Sequence, residues 1–139
     1  MLLGGNGQPF AEIVHQINTF TEDNKELIIL NLSHDLNVDV GSKYCHFNQD
    51  EWDQLLGHLT GDKGLNHLFV APNSTEVDLS TLPLNQFIST TQAAVLIIVQ
   101  LEAPSVMLDE YHHCGTYYYR QMNAIYEHTC THRLDNMIN

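Results

Sequence analysis

Positive charge is scarce in this sequence: five Lys and Arg stand against seventeen Asp and Glu, a formal charge of -12 over 139 residues. So acidic a chain repels phosphate backbones and anionic membrane surfaces, which argues against nucleic acid as a partner. A lipid substrate is still compatible, because a small apolar or basic rim around a site suffices for transient docking. Long apolar runs are also missing. None approaches the roughly 18 residues that a spanning helix needs, and Met1-Leu2-Leu3-Gly4-Gly5 lacks the charged and apolar regions of an export signal. Cysteine is sparse and unpatterned. Cys45, Cys114 and Cys130 have no CxxC spacing and establish neither a disulfide framework nor a metal knuckle, although a Cys114–Cys130 bridge is open in an oxidising compartment. A G-x-S-x-G elbow, a phosphate-binding P-loop and a dinucleotide fingerprint are all absent.

What is present is a 43% hydrophobic chain, long enough for one domain with its own core. Phe10, Ile13, Val14, Ile17 and Phe20 recur at spacings of three and four, which predicts a helix from about Pro9 to Thr21. The run Leu27-Ile28-Ile29-Leu30-Asn31-Leu32 follows at once and reads as a strand buried on both faces, as in a parallel sheet. Ser33 to Gln49 reads as a long loop leaving the carboxyl end of that strand, where α/β folds keep their chemistry. Asn48 and Glu51 have capping-box spacing ahead of the Trp52, Leu55, Leu56, Leu59 stripe of a second helix, stopped by Gly61 and Gly64. His67 to Ala71 and Ala93 to Val99 read as further strands, with a weak helix over Ser80 to Ser89 between them. The expected order in the sheet is 27–32, 67–71, 94–99, all parallel. A last helix is expected from Arg133, after a stretch of tyrosines and histidines.

Gly4-Gly5-Asn6-Gly7-Gln8, the helix Ile13 to Phe20 and, above all, Glu26-Leu27-Ile28-Ile29-Leu30-Asn31-Leu32-Ser33-His34-Asp35 resemble the middle of the phosphatidylinositol-specific phospholipase C-like phosphodiesterases, notably fungal-type members. Phe47-x-Gln49-Asp50-Glu51-Trp52 and the strand at Val95 continue the likeness, which covers residues 4 to 102; Tyr126, Thr129 and Met137 extend it faintly. The resemblance implies an α/β fold, a partial TIM (β/α) barrel of parallel strands with intervening helices. It also implies hydrolysis of phosphoric diesters, with a phospholipid or inositol phosphodiester as substrate, by two histidines acting as general base and general acid. Relatives of this type are commonly secreted. Their first histidine lies in a T-H-[DN]-S motif and their second in an H-G step, and this sequence has neither; its one T-H pair, Thr131-His132, lies at the other end. Residues 1–139 are therefore expected to form a single partial barrel domain, truncated at both ends and inactive alone. The alternative is a non-catalytic binding or interaction protein on a half barrel. Either way, exposed sheet edges are expected to promote self-association.

The candidate site lies where the first strand opens into its loop. His34 and Asp35 are the expected catalytic groups and Ser33 the expected substrate contact; the competing reading has His34 and Asp35 satisfying backbone groups at the strand end. Some relatives hold calcium with a glutamate near the Ser33 position, so the serine speaks against calcium here. No cofactor or metal is expected: His112-His113-Cys114 with His128, Cys130 and His132 match no zinc spacing. Trp52 is expected in the core. The Tyr117 to Tyr119 run is read either as a headgroup rim or as a buried alternating strand.

Overall fold

A computed structural model describes residues 9–37 and 45–122. Helix α1 (Phe10–Asp23) leads into strand β1 (Leu27–Leu32), a ribbon of β2 (Leu36–Asn37) and β3 (Cys45–His46), helix α2 (Gln49–Thr60), strand β4 (Ala94–Val99) and strand β5 (Thr116–Tyr118). The architecture is mixed α/β, with a small parallel sheet of three strands in the order β1-β4-β5. The helix expected from Arg133, the segment Gly4 to Gln8 and Cys130 of the expected bridge lie outside the described residues. Among the described residues, no helix is long and apolar enough to cross a membrane.

The periodicities place both helices. In α1 the buried Thr21 donates its hydroxyl to the Ile17 carbonyl at 2.9 Å, so the polar group is satisfied inside the helix itself. At the start of α2, Asn48 Oδ1 accepts from Glu51 N at 2.9 Å and Glu51 Oε1 accepts from Asn48 N at 3.2 Å, the reciprocal capping box that the spacing predicted. Asn18 ties the helices together: its amide donates to Gly64 O at 3.0 Å and accepts from Asn66 N at 2.9 Å.

Strand β4 explains its own composition. All six of its residues are buried because alternate side chains serve different cores. Val95, Ile97 and Val99 meet Val14, Trp52, Leu56 and Leu59 on the helical face, while Ala94, Leu96 and Ile98 meet Leu79, Phe87 and Tyr117 on the other. β1 is different. Ile28, Leu30 and Leu32 pack into the helical core, but Ile29 is 46% exposed and Asn31 is exposed, so β1 is not the two-sided buried strand its apolar run suggests.

Three further expectations are corrected. The segment at 67–71 does not separate the other two strands: β1 pairs directly with β4, Leu27 opposite Ala94 through Leu32 opposite Val99. The 67–69 backbone touches the far edge of β4 through one parallel bridge, Leu68 with Val95, and lies on the same edge as β5. The loop 33–49 is not structureless, since β2 and β3 pair within it, Leu36 opposite His46 and Asn37 opposite Cys45. Over 80–89 the chain makes two 3₁₀ turns, Leu79–Thr81 and Leu84–Gln86, in place of one helix. Pro83 interrupts the helical ladder between them. Of the two readings for Tyr117 and Tyr118, burial in a strand is the observed one.

The β5 edge needs Gly115. Its φ of 83° is left-handed, and a Cβ there would lie 3.0 Å from both Leu68 Cβ and Phe69 O. Tyr117 fastens the same junction, donating its hydroxyl to Phe69 O at 2.8 Å and accepting from Ala71 N at 2.8 Å. Burial raises the pKa of this phenol, an effect that the Ala71 hydrogen bond partly opposes.

The first turn of α2 is stitched to the 107–111 segment. Gln49 exchanges two 2.8 Å hydrogen bonds with the Met107 backbone, and Tyr111 donates its hydroxyl to Asp53 Oδ1 at 2.8 Å. Desolvation, then the hydrogen bond to Asp53 and its charge, push the Tyr111 phenol up to about 12. The unfolded chain loses that proton near pH 10, as an ordinary tyrosine does. The neutral phenol therefore contributes stability that is complete below about pH 10 and is lost as pH rises towards 12. Ultraviolet titration of the six tyrosines should show a late phase to which Tyr111 and Tyr117 both contribute, and Tyr111→Phe should remove from it one phenol with a midpoint near 12. An unchanged late phase in the variant would disprove the assignment.

Candidate functional site

Strands β1 and β4 run parallel, so their carboxyl ends open on the same side of the sheet. Asp35 and Glu102 each lie three residues past the register pair Leu32 and Val99, and the Gln100 N–H bonded to Leu32 O at 2.9 Å keeps the two exits together. The β2–β3 ribbon brings the third group. Its pairing, extended by Phe47 N donating to Asp35 O at 2.9 Å, folds His46 back over the end of β1. His46 Nδ1 then stands 3.5 Å from Asp35 Oδ1 and 3.5 Å from Glu102 Oε2. One ligating atom from each of these residues lies within 4.8 Å of the others.

Asp35 is the anchor of the cluster. It is 4% exposed, and its Oδ2 accepts from Trp52 Nε1 at 3.2 Å, while its Oδ1 is buried with no hydrogen-bond partner among the described residues. A carboxylate oxygen without a partner costs stability unless something else meets it. His46 and Glu102 are open to solvent by comparison, their side chains 40% and 42% exposed. The cluster therefore has a dry floor and a wet mouth.

Two cavities adjoin it. The larger, a cleft of about 580 Å³, follows the carboxyl ends of β4 and β5 and is lined by Gln100, Glu102, Met107, Asp109, Tyr118 and Arg120, among others. The Arg120 guanidinium lies 4.2 Å from the Tyr118 ring centroid, a cation–π contact that holds a positive charge at the cleft wall. The smaller cavity, about 140 Å³, is lined by Phe10, Phe47, Trp52 and Leu55 with Ser33, His34 and Asp35.

The sequence-predicted residues divide between these features. Asp35 enters the cluster. His34 is exposed, with its Nδ1 3.0 Å from Ser33 Oγ, and takes a left-handed backbone (φ 57°) that a non-glycine residue adopts only at a cost. Ser33 and His34 thus border the small cavity, while the cluster takes its imidazole from His46. His46, Glu102 and Arg120 were not singled out from the sequence. The available signal for Glu102 was its place just past the most apolar strand; His46 had none, because short ribbons carry no periodicity. Comparison of the chain with protein-family models, with curated proteins and with solved structures yields no match.

Proposed function

We propose that this chain binds a phosphoric diester of a polyol in the 580 Å³ cleft, as a segment of a phospholipase C-like phosphodiesterase built on a partial (β/α) barrel. The observation that carries the reading is the placement of Arg120, one of five basic residues in a chain of charge -12, at the wall of this cleft beside the carboxyl ends of β4 and β5. A guanidinium there suits a phosphate oxygen, and charge-assisted hydrogen bonds are the strong ones. Asp109 and Gln100 offer acceptors for the hydroxyls of a sugar or inositol ring. Carboxyl ends of parallel strands are where α/β proteins bind such ligands.

Titration of glycerophosphoinositol by calorimetry, with EDTA present, tests this. Saturable binding is expected, weakened about 10-fold or more by Arg120→Ala, because a hydrogen bond to a charged group is worth about 1.5–3 kcal/mol. Hydrolysis by these 139 residues is expected to stay at background, since acid–base catalysis needs two placed groups and the family's histidine motifs are missing. Lack of binding up to millimolar ligand, or robust turnover that depends on His34, would overturn the reading.

A second reading, a non-catalytic interaction protein, is favoured by one observation. Ile29 on the outer strand β1 and Leu84 are both exposed beside an apolar groove shared with Leu27, Leu82 and Phe87. Concentration-dependent association in light scattering, with no ligand binding, would favour it over the first.

A further inference from the structure

The Asp35, His46 and Glu102 cluster can be held together in two ways: by an imidazolium between two carboxylates, or by an ion that all three ligate. We propose the second, that these residues form a three-ligand site for a divalent transition-metal cation of the zinc, cobalt or manganese class. The cluster joins two observations of different kind. The first is geometric. Ligands bonded at about 2.0–2.2 Å in a tetrahedron stand about 3.3–3.6 Å apart, and His46 Nδ1 lies 3.5 Å from each carboxylate oxygen. The second is the unpartnered Oδ1 of Asp35, nine-tenths or more buried and aimed into the cluster. The imidazole does not supply that missing bond, although it stands at 3.5 Å; a cation seated between them would.

The surroundings fit a metal centre. Trp52 Nε1 donates to the other oxygen of Asp35, which fixes the carboxylate as outer-sphere partners of metal ligands do. Phe47, Trp52 and Leu55 wall the buried side and leave the open coordination positions to solvent and to the cleft, with which the site shares Glu102. A chain of charge -12 draws cations to its surface. The donor set selects among them. An imidazole with two carboxylates suits zinc, cobalt or manganese, whereas calcium prefers about six to eight oxygens. The inference does not depend on the phosphodiester reading, because it concerns the metal alone.

Trp52 supplies the measurement, since it is the one tryptophan in the chain and touches a proposed ligand. Addition of cobalt chloride to the untagged, ligand-free 139-residue chain should quench its fluorescence saturably, and equilibrium dialysis should find one cobalt or zinc ion per chain. His46→Ala and Glu102→Gln should each weaken binding at least about 10-fold, because even outer-sphere substitutions cost about 10–100-fold. His58→Ala, an exposed histidine on α2, should leave it unchanged. Retention of no metal at micromolar concentrations would overturn the proposal. So would binding undiminished in His46→Ala, which would place the metal on other histidines, or tighter binding of calcium than of cobalt, which would mean an all-oxygen site. Failure of the phosphodiester reading alone would appear differently, as normal metal binding without glycerophosphoinositol binding.

Discussion

Trp52→Ala is expected to destabilise the fold by about 3–5 kcal/mol, the range typical of a fully buried large aromatic. Trp52 is 1% exposed, meets Phe47 edge-on at a centroid distance of 5.5 Å, and sits in the helical core with Leu56, Leu59 and Val99. Its removal opens a cavity there and also takes the indole N–H from Asp35 Oδ2, which is buried with it. Stability of an ordinary domain is only about 5–15 kcal/mol, so a large part of the total is at stake. Trp52→Phe separates the two contributions. It keeps most of the volume but leaves the Asp35 carboxylate without its indole donor, for a loss of about 1.5–3 kcal/mol. Urea unfolding followed by circular dichroism measures both. A loss under about 1 kcal/mol for the alanine variant would contradict the packing described, given how rarely so large a core truncation is that mild.

The second large effect is expected at Gly64. A Cβ on this buried glycine would lie 2.2 Å from Leu59 O, 2.5 Å from Leu59 C and 2.8 Å from His58 O, all of them backbone atoms at the end of α2. The backbone cannot yield cheaply. Gly64 N donates to Gly61 O at 2.9 Å, Leu65 N donates to Leu59 O at 2.8 Å, and Gly64 O accepts the Asn18 amide at 3.0 Å. Relief of the clash breaks at least one of these bonds and lifts α1 from the exit of α2. Gly64→Ala should therefore cost about 3 kcal/mol or more, at the upper end for overpacking because the obstacle is main chain. Gly57 provides the opposite sign on the same helix. Nothing lies within 4 Å of a Cβ built there, and alanine in a helix is favoured over glycine by about 0.5–1 kcal/mol. Thermal melts of the two variants should move in opposite directions. A shift of both in the same direction would disprove the account of the α2 exit.

Local physics was legible where one element suffices to express it. The 3.6 period of Phe10 to Phe20, the Asn48–Glu51 capping box and the apolar run Ala94 to Val99 each specify their element, and each appears with bounds close to those expected. Leu27 to Leu32 shows the limit. Its composition suits a strand, but whether both faces are covered depends on segments far away in sequence, and Ile29 remains 46% exposed. The segment 67–71 failed for a related reason. Phe69 and Ala71 pack with Tyr117 and the 3₁₀ turns, Leu68 packs against the helical core and Val70 is exposed, so the segment contributes one bridge to the sheet in place of a strand of its own.

Patterning over a few residues specifies helices α1 and α2, strands β1 and β4 and the parallel sense of those strands, because hydrophobic periodicity and capping are local. Asp35 could be nominated on that basis. The strand order and the cluster were decided only by tertiary structure. Glu102 meets Asp35 because β1 and β4 are neighbours in register, and His46 meets both because a two-residue ribbon turns it back over the strand end. These three side chains lie up to 67 residues apart, from Asp35 to Glu102. No local propensity encodes such a distance, and burial of two apolar faces on β4 is what brings them together.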